Sequence, residues 1–263
     1  MELIKVNNIH KSFKGSATKA LDDISFSVNA GEFFCLLGPD AAGKTTLLRI
    51  LAAIMSFDGG VVEIMNKKIP QEIANIQHLI GYMPQKFGLY EDLSVIENIE
   101  LNADLRGIFG DERKEQIKYL LEKTNLKNYT TRLAGKLSGG MKQKLALACT
   151  LVAKPKILLL DEVSFGVDPI SRGNLMEIVR SLRTKETVVV WSTTYLDEAH
   201  DADKILLINQ GKSVFLGKPQ DFIAESSGKN FLLSAKNKSD RRENLNYLLK
   251  SEKIIDEIGR AHV

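Results

Sequence analysis

The sequence predicts a mixed α/β fold, and three observations carry that expectation. Short unbroken apolar runs such as ILLL at residues 157–160 alternate with segments of helical character, the pattern of a sheet covered by helices on both faces. One of these runs leads straight into the glycine-rich turn GPDAAGKTT and a helix. Between about residues 88 and 152 the pattern is almost wholly helical, which reads as a helical subdomain inserted into the α/β core.

The elements follow in order. Residues 3–8 and 24–29 read as strands of an N-terminal antiparallel piece, closed by the turn at Ala30 and Gly31. Residues 32–37 form a short apolar strand ahead of a helix over 44–53, and later strands are expected at 80–84, 157–160, 188–192 and 205–208. Ser94, with Glu97 three residues on, has the capping-box pattern and opens a helix to about Arg106. Further helices are expected over 111–124 and 139–152. The main domain is placed at residues 1–228 and a small C-terminal extension at 229–263. The extension holds a strand-like FLLSA, a helix over 239–250 and a final GRAHV with no closing element, as a domain cut from a longer chain would end.

Composition narrows the classes. The chain has 263 residues, 44% hydrophobic and 26% charged, an ordinary globular balance. A net charge of +3 gives no argument for nucleic acid as a partner. No apolar run reaches the ~18 residues of a membrane span, and MELIKVNNIHKS lacks a signal-peptide layout, so a cytosolic location is expected. Cys35 and Cys149 sit in apolar surroundings without metal-ligand spacing and read as buried reduced thiols.

Three motifs carry chemistry. The run Gly38, Pro39, Asp40, Ala41, Ala42, Gly43, Lys44, Thr45 matches a phosphate-binding P-loop between strand and helix, with Thr46 following. Backbone N–H groups and the positive helix end hold the α- and β-phosphates. Lys44 reaches the β- and γ-phosphates, and Thr45 offers a hydroxyl to Mg²⁺. Ala41 stands where many such loops have a third glycine, which stiffens the loop. The run KILLLDE delivers Asp161 and Glu162 at the carboxyl end of a buried strand. There Asp161 is placed to hold Mg²⁺ through water, and Glu162 to orient or polarise an attacking water. The run LSGGMKQK at 137–144 supplies Ser138, Gly139 and Gly140 to a second anion-binding turn at a helix start. A domain with its own phosphate cradle has no need of a second for the same nucleotide, so this turn points to a nucleotide held by another domain.

With these pieces in order, the chain resembles the nucleotide-binding domains of ABC-type transport ATPases, which have a P-loop NTPase core. The resemblance spans roughly residues 3–225. It implies ATP and Mg²⁺ as ligands, a second ABC-type ATPase domain and polytopic membrane subunits as partners, and a cytoplasmic position on the inner face of the cell membrane. It also implies that Phe13 stacks on adenine, with core packing as the other reading. Gln85 would touch Mg²⁺ or the water at the hinge with the helical subdomain, and Asp168 would cross between paired domains.

Departures from the family pattern are Val163 where Pro is usual, Met141 where Gln is usual, and Thr194 where a switch histidine is usual. Threonine keeps a hydroxyl but cannot carry positive charge, so the site on this P-loop is expected to bind ATP and hydrolyse it slowly. His200 reads as a solvated histidine rather than a substitute. The runs GYMPQKFGLYEDLSV, LAGKLSGGMKQKLALACTLV and GVDPISR, with the non-histidine after WST, look like the N-terminal ATPase half of bacterial tandem-ATPase multidrug efflux pumps. Two other readings stay open: a soluble ABC-type ATPase uncoupled from transport, and an ATP-gated clamp without useful turnover. Lys136, Lys142 and Lys144 read as a solvated helix face, as does the tail cluster Lys236, Lys238, Arg241 and Arg242. Phe87, Leu89 and Tyr90 either join the core or line a groove for a membrane partner.

Overall fold

Alternation within the apolar strands explains why their central positions carry no polar residues. In a computed structural model that describes residues 1–226, strand β3 (Phe33–Leu37) has every residue buried. Phe33, Cys35 and Leu37 enter one hydrophobic core and Phe34 and Leu36 another. Successive side chains point to opposite faces, so a strand covered on both faces is apolar throughout. β7 (Ile157–Asp161) and β8 (Val188–Thr193) divide in the same way, with Leu158, Leu160, Val189 and Trp191 on one face and Ile157, Leu159, Val188 and Val190 on the other.

These strands belong to a six-stranded sheet in the order β10-β9-β3-β8-β7-β6, completed by β6 (Ile80–Met83), β9 (Lys204–Asn209) and β10 (Lys212–Gly217). All neighbours are parallel except β9 and β10, which form an antiparallel hairpin. A second, wholly antiparallel sheet has the order β2-β1-β4-β5, from β1 (Glu2–Lys11), β2 (Leu21–Asn29), β4 (Gly59–Ile64) and β5 (Lys67–Ile69). Its apolar face shares one core with helix α1 (Lys44–Leu51) and the corresponding face of the six-stranded sheet.

The opposite core is closed by α2 (Val95–Leu105), α3 (Gly110–Lys123), α4 (Gly139–Leu151) and α5 (Pro169–Ser181). No strand occurs between β6 and β7. The Ser94 capping box forms as expected: Glu97 accepts from the Ser94 N–H at 2.7 Å, and Ser94 Oγ accepts from the Glu97 N–H at 3.4 Å. Beside it, fully buried Asn98 donates to the carbonyls of Tyr90, Leu93 and Ser94 and accepts from the Tyr90 N–H. These bonds fasten the segment between β6 and α2. A short helix α6 (Leu196–Ala199) and helix α7 (Pro219–Ser226) complete the described elements.

Three corrections to the sequence expectation have physical causes. The Ala30–Gly31 turn does not close a hairpin of β1 and β2. It hands the chain from β2 into β3 of the other sheet, while β1 and β2 are joined through residues 12–20. β1 runs on to Lys11 because its end pairs with Leu21 and its ammonium meets Asp58 at 3.3 Å. β4, β5 and β10 were not foreseen. β4 opens on Gly-Gly, β5 carries a Lys pair and lies at a sheet edge, and β10 is an edge strand with mostly exposed residues. Short polar edge strands lack the apolar signal of a covered strand. The chain divides into two compact units at Phe222 and Ile223, and the elements above up to β10 belong to the first. The FLLSA strand, the 239–250 helix and the basic tail cluster lie outside the described residues.

Candidate functional site

The carboxyl ends of β3, β7 and β8 converge, and the turn following β3 builds the cradle. Gly43 has φ 112°, and a Cβ there would stand 2.5 Å from the Ala20 carbonyl oxygen, so only glycine lets the turn lie this close to the returning 12–20 segment. Ala41 also lies in the left-handed region, at φ 60°, a real cost for a residue with a Cβ. α1 has no side-chain cap, so its first-turn N–H groups face the loop as free donors.

Lys44, the first residue of α1, is 3% exposed. Its ammonium donates to the carbonyls of Gly38 at 2.7 Å and Pro39 at 2.8 Å, and pairs with Glu162 Oε1 at 3.0 Å. Thr45 donates its hydroxyl to Asp161 Oδ1 at 3.0 Å. Gln85, just beyond β6, donates through Nε2 to Glu162 Oε2 at 3.0 Å. Both acidic side chains are buried, and Glu162 has φ 47° although it is not a glycine. Its strained backbone is held by its N–H, which donates to the Ser192 hydroxyl at 3.0 Å and the Ser192 carbonyl at 3.2 Å.

The structure thus brings Gly38, Pro39, Lys44, Thr45, Gln85, Asp161 and Glu162 together at the carboxyl end of the six-stranded sheet. Asp40, Ala42 and Thr46 belong to the same turn and helix start. The donor set fits a nucleotide phosphate with a hard divalent cation: oxygen ligands from Thr45, Asp161 and Gln85, a buried ammonium and free helix N–H groups.

Ser138, Gly139, Gly140 and Asp168 form a separate surface. Ser138 caps α4 by accepting from the Met141 N–H at 3.3 Å. Gly140 packs on the first turn of α5, where a Cβ would stand 2.6 Å from the Ser171 Cβ. Asp168 caps α5, accepting from the Ser171 N–H at 2.9 Å, and the Ser171 N–H and hydroxyl hold its carboxyl below the ordinary aspartate range. Among the described residues, no hydrogen bond joins these residues directly to the phosphate loop. Phe13 is 44% exposed with the Lys11 ammonium 5.6 Å from its ring centre, so it is not a core residue.

Several participants were not legible in the sequence. Ser192 and Tyr82 both donate to Asp161, at 2.9 Å on Oδ1 and 3.2 Å on Oδ2. Thr194 follows β8 directly and is half-buried. It is flanked by a buried network in which Glu198 Oε2 accepts from Trp191 Nε1 at 3.0 Å and from the Thr193 hydroxyl at 2.6 Å. From α5, Arg172 reaches the same loop, 3.0 Å from Asp197 and 4.7 Å from the Tyr195 ring centre. Only period and pairing in three dimensions bring these together; a lone Tyr, Ser or Glu in sequence carries no signal.

The remaining expectations resolve as follows. His200 is exposed and contacts Asp201 at 3.0 Å. Lys142 pairs with Glu91 at 2.7 Å. Phe87 and Leu89 pack partly on the core, whereas Tyr90 is exposed. Both thiols are free and buried, and burial pushes Cys35 up and Cys149 up to about 12. No helix among the described residues is long and apolar enough to cross a membrane.

Comparison with known proteins agrees with this geometry. The ABC transporter family model matches residues 21–164. The probable multidrug ABC transporter ATP-binding protein YbhF of Escherichia coli (strain K12) is 45% identical over 240 residues, which are 91% of this chain and 42% of that protein. The chain therefore spans less than half the length of that relative. Nod factor export ATP-binding protein I of Burkholderia thailandensis is 34% identical over 79% of this chain and 69% of its own length. Among solved structures, the dimeric post-hydrolysis state of the ATP-binding cassette MJ0796 bound to ADP and Pi superposes with a TM-score of 0.74 at 26% identity, covering 82% of this chain and 98% of that one. Both sheets, the phosphate loop, the acidic strand end and the sequence match agree: the chain belongs to the ABC transporter family and is one of its ATP-binding domains.

Proposed function

We propose that this chain is the ATP-hydrolysing motor of an ABC-type exporter. ATP is sandwiched between its P-loop and a second ATPase domain, and polytopic membrane subunits carry the substrate. The domain then works in the cytoplasm, peripheral on the inner face of the cell membrane. The observation that carries this reading is the meeting of Lys44, Thr45, Gln85, Asp161 and Glu162 at the carboxyl end of the six-stranded sheet, with the Ser138 turn held apart on α4. The export reading is supported by the names of the relatives, a multidrug transporter protein and a Nod factor export protein.

In this reading Lys44 exchanges its bond to Glu162 for the β- and γ-phosphates, which frees the carboxylate to take a water proton. Thr45 and Gln85 would hold Mg²⁺, with Asp161 holding it through water, and the bound cation would neutralise charge on the phosphates. Phe13 offers an exposed ring to adenine. Thr194 offers a hydroxyl where a histidine would bond the γ-phosphate, so turnover at this P-loop is slow. Asp168 and the Ser138 turn serve the partner's nucleotide.

Thr194 also favours a second reading, an ATP-gated clamp without useful turnover, against which the intact Glu162 stands. ATPase assays of the chain alone and mixed with its partner domain separate the two. Partner-stimulated phosphate release supports the motor; ATP-dependent pairing with no release above that of a Glu162→Gln variant overturns it.

A further inference from the structure

The Asp161 carboxylate is 1% exposed and takes hydrogen bonds from hydroxyls on three elements. Thr45 on α1 and Ser192 on β8 both donate to Oδ1, whereas Tyr82 on β6 donates to Oδ2 at 3.2 Å. We propose that Tyr82 is a positioning residue that orients the Asp161 carboxylate for a divalent cation, acting through its phenol O–H without touching the cation. This rests on the nucleotide and cation reading above.

The two carboxylate oxygens are held unequally. A Thr45 hydroxyl that ligates a cation through an oxygen lone pair keeps its proton for Oδ1, so Thr45 and Ser192 both fix Oδ1. Tyr82 alone fixes Oδ2 and so sets the rotation of the carboxylate plane. Outer hydrogen bonds of this kind orient metal ligands and tune their affinity. The strand register supports the role. Tyr82 pairs in parallel with Leu159, two residues before Asp161, and its ring packs against the core on that face, so its hydroxyl is carried to the strand end on a fixed lever. A phenol O–H is a proton donor throughout the neutral range. Phenylalanine would preserve the packing and delete only the hydroxyl.

The test is a calorimetric titration of the full chain with ADP across a MgCl₂ series and in EDTA, comparing wild type with Tyr82→Phe. Mn²⁺ binding in the presence of ADP is followed separately by electron paramagnetic resonance. Affinity in EDTA is expected to stay within about twofold, while the Mg²⁺ midpoint and the Mn²⁺ dissociation constant rise about tenfold, within the range for outer-sphere metal partners. Tyr82→Leu, which also removes the phenol O–H, is expected to shift the midpoint the same way, and supplies the answer if Tyr82→Phe folds poorly. An unchanged midpoint, or equal loss with and without Mg²⁺, overturns the proposal. A wild-type chain whose ADP affinity ignores Mg²⁺ overturns the underlying nucleotide reading as well, so the two failures are distinct.

Discussion

The Lys44 ammonium lies 3.0 Å from Glu162 Oε1, and both side chains are buried, at 3% and 9% exposure. The pair joins the group that binds phosphate to the group that polarises water. Removing one partner strands the other charge, which costs on the order of 3–5 kcal/mol for a buried pair. Lys44→Ala is therefore expected to lower unfolding stability by about that amount in urea denaturation and to abolish ATP binding. Glu162→Gln keeps the shape and a hydrogen-bonding group. It should leave ATP binding intact and cut phosphate release about 100-fold or more. Equal loss of binding in both variants would contradict the division of labour.

Thr194 follows β8 beside a rigid frame, since Thr193 is tied to Glu198 and the Gly38 N–H donates to the Thr193 carbonyl at 3.3 Å. A histidine placed there inherits a fixed backbone. Thr194→His, assayed with the partner domain, is expected to raise kcat about tenfold or more, the scale of one added donor to transition-state charge, with little change in KM for ATP. No gain in kcat would remove Thr194 as the cause of slow turnover.

Adjacent glycines in the Ser138 turn have opposite demands. A Cβ on Gly140 would collide with Ser171, whereas nothing lies within 4 Å of a Cβ on Gly139. Gly140→Ala should cost about 1–3 kcal/mol through overpacking of α4 on α5, visible as a lower Tm. Gly139→Ala should keep the Tm of the wild type and weaken ATP-dependent pairing with the partner, read by gel filtration. A destabilised Gly139→Ala with intact pairing would reverse the assignment.

Glu198 accepts from both Trp191 and Thr193 while 4% exposed. Glu198→Ala leaves two buried donors without an acceptor, at about 1–3 kcal/mol each. Trp191 is the single tryptophan, so its emission reports this network directly. The variant is expected to unfold at lower urea and to shift Trp191 emission; unchanged emission would mean that the indole N–H is satisfied elsewhere.

The unbroken apolar runs and the GPDAAGKTT and KILLLDE motifs were legible because each is local: a strand covered on both faces must be apolar at every position, and a phosphate cradle needs its glycines, lysine and threonine in consecutive order. The same locality made the Ser94 capping box readable. By contrast, β4, β5 and β10 escaped notice because short edge strands facing solvent have no compositional signature. The roles of Tyr82, Ser192 and Glu198 were hidden because their partners lie on other strands or helices.

By itself, then, the sequence determined which residues could bind phosphate and cation, since that chemistry is written in adjacent positions. Tertiary structure alone decided which side chains steer them. Parallel pairing places Tyr82 beside Leu159 and Asp161 beside Ser192, and register of that kind is fixed by the packing of both cores rather than by any nearby residue.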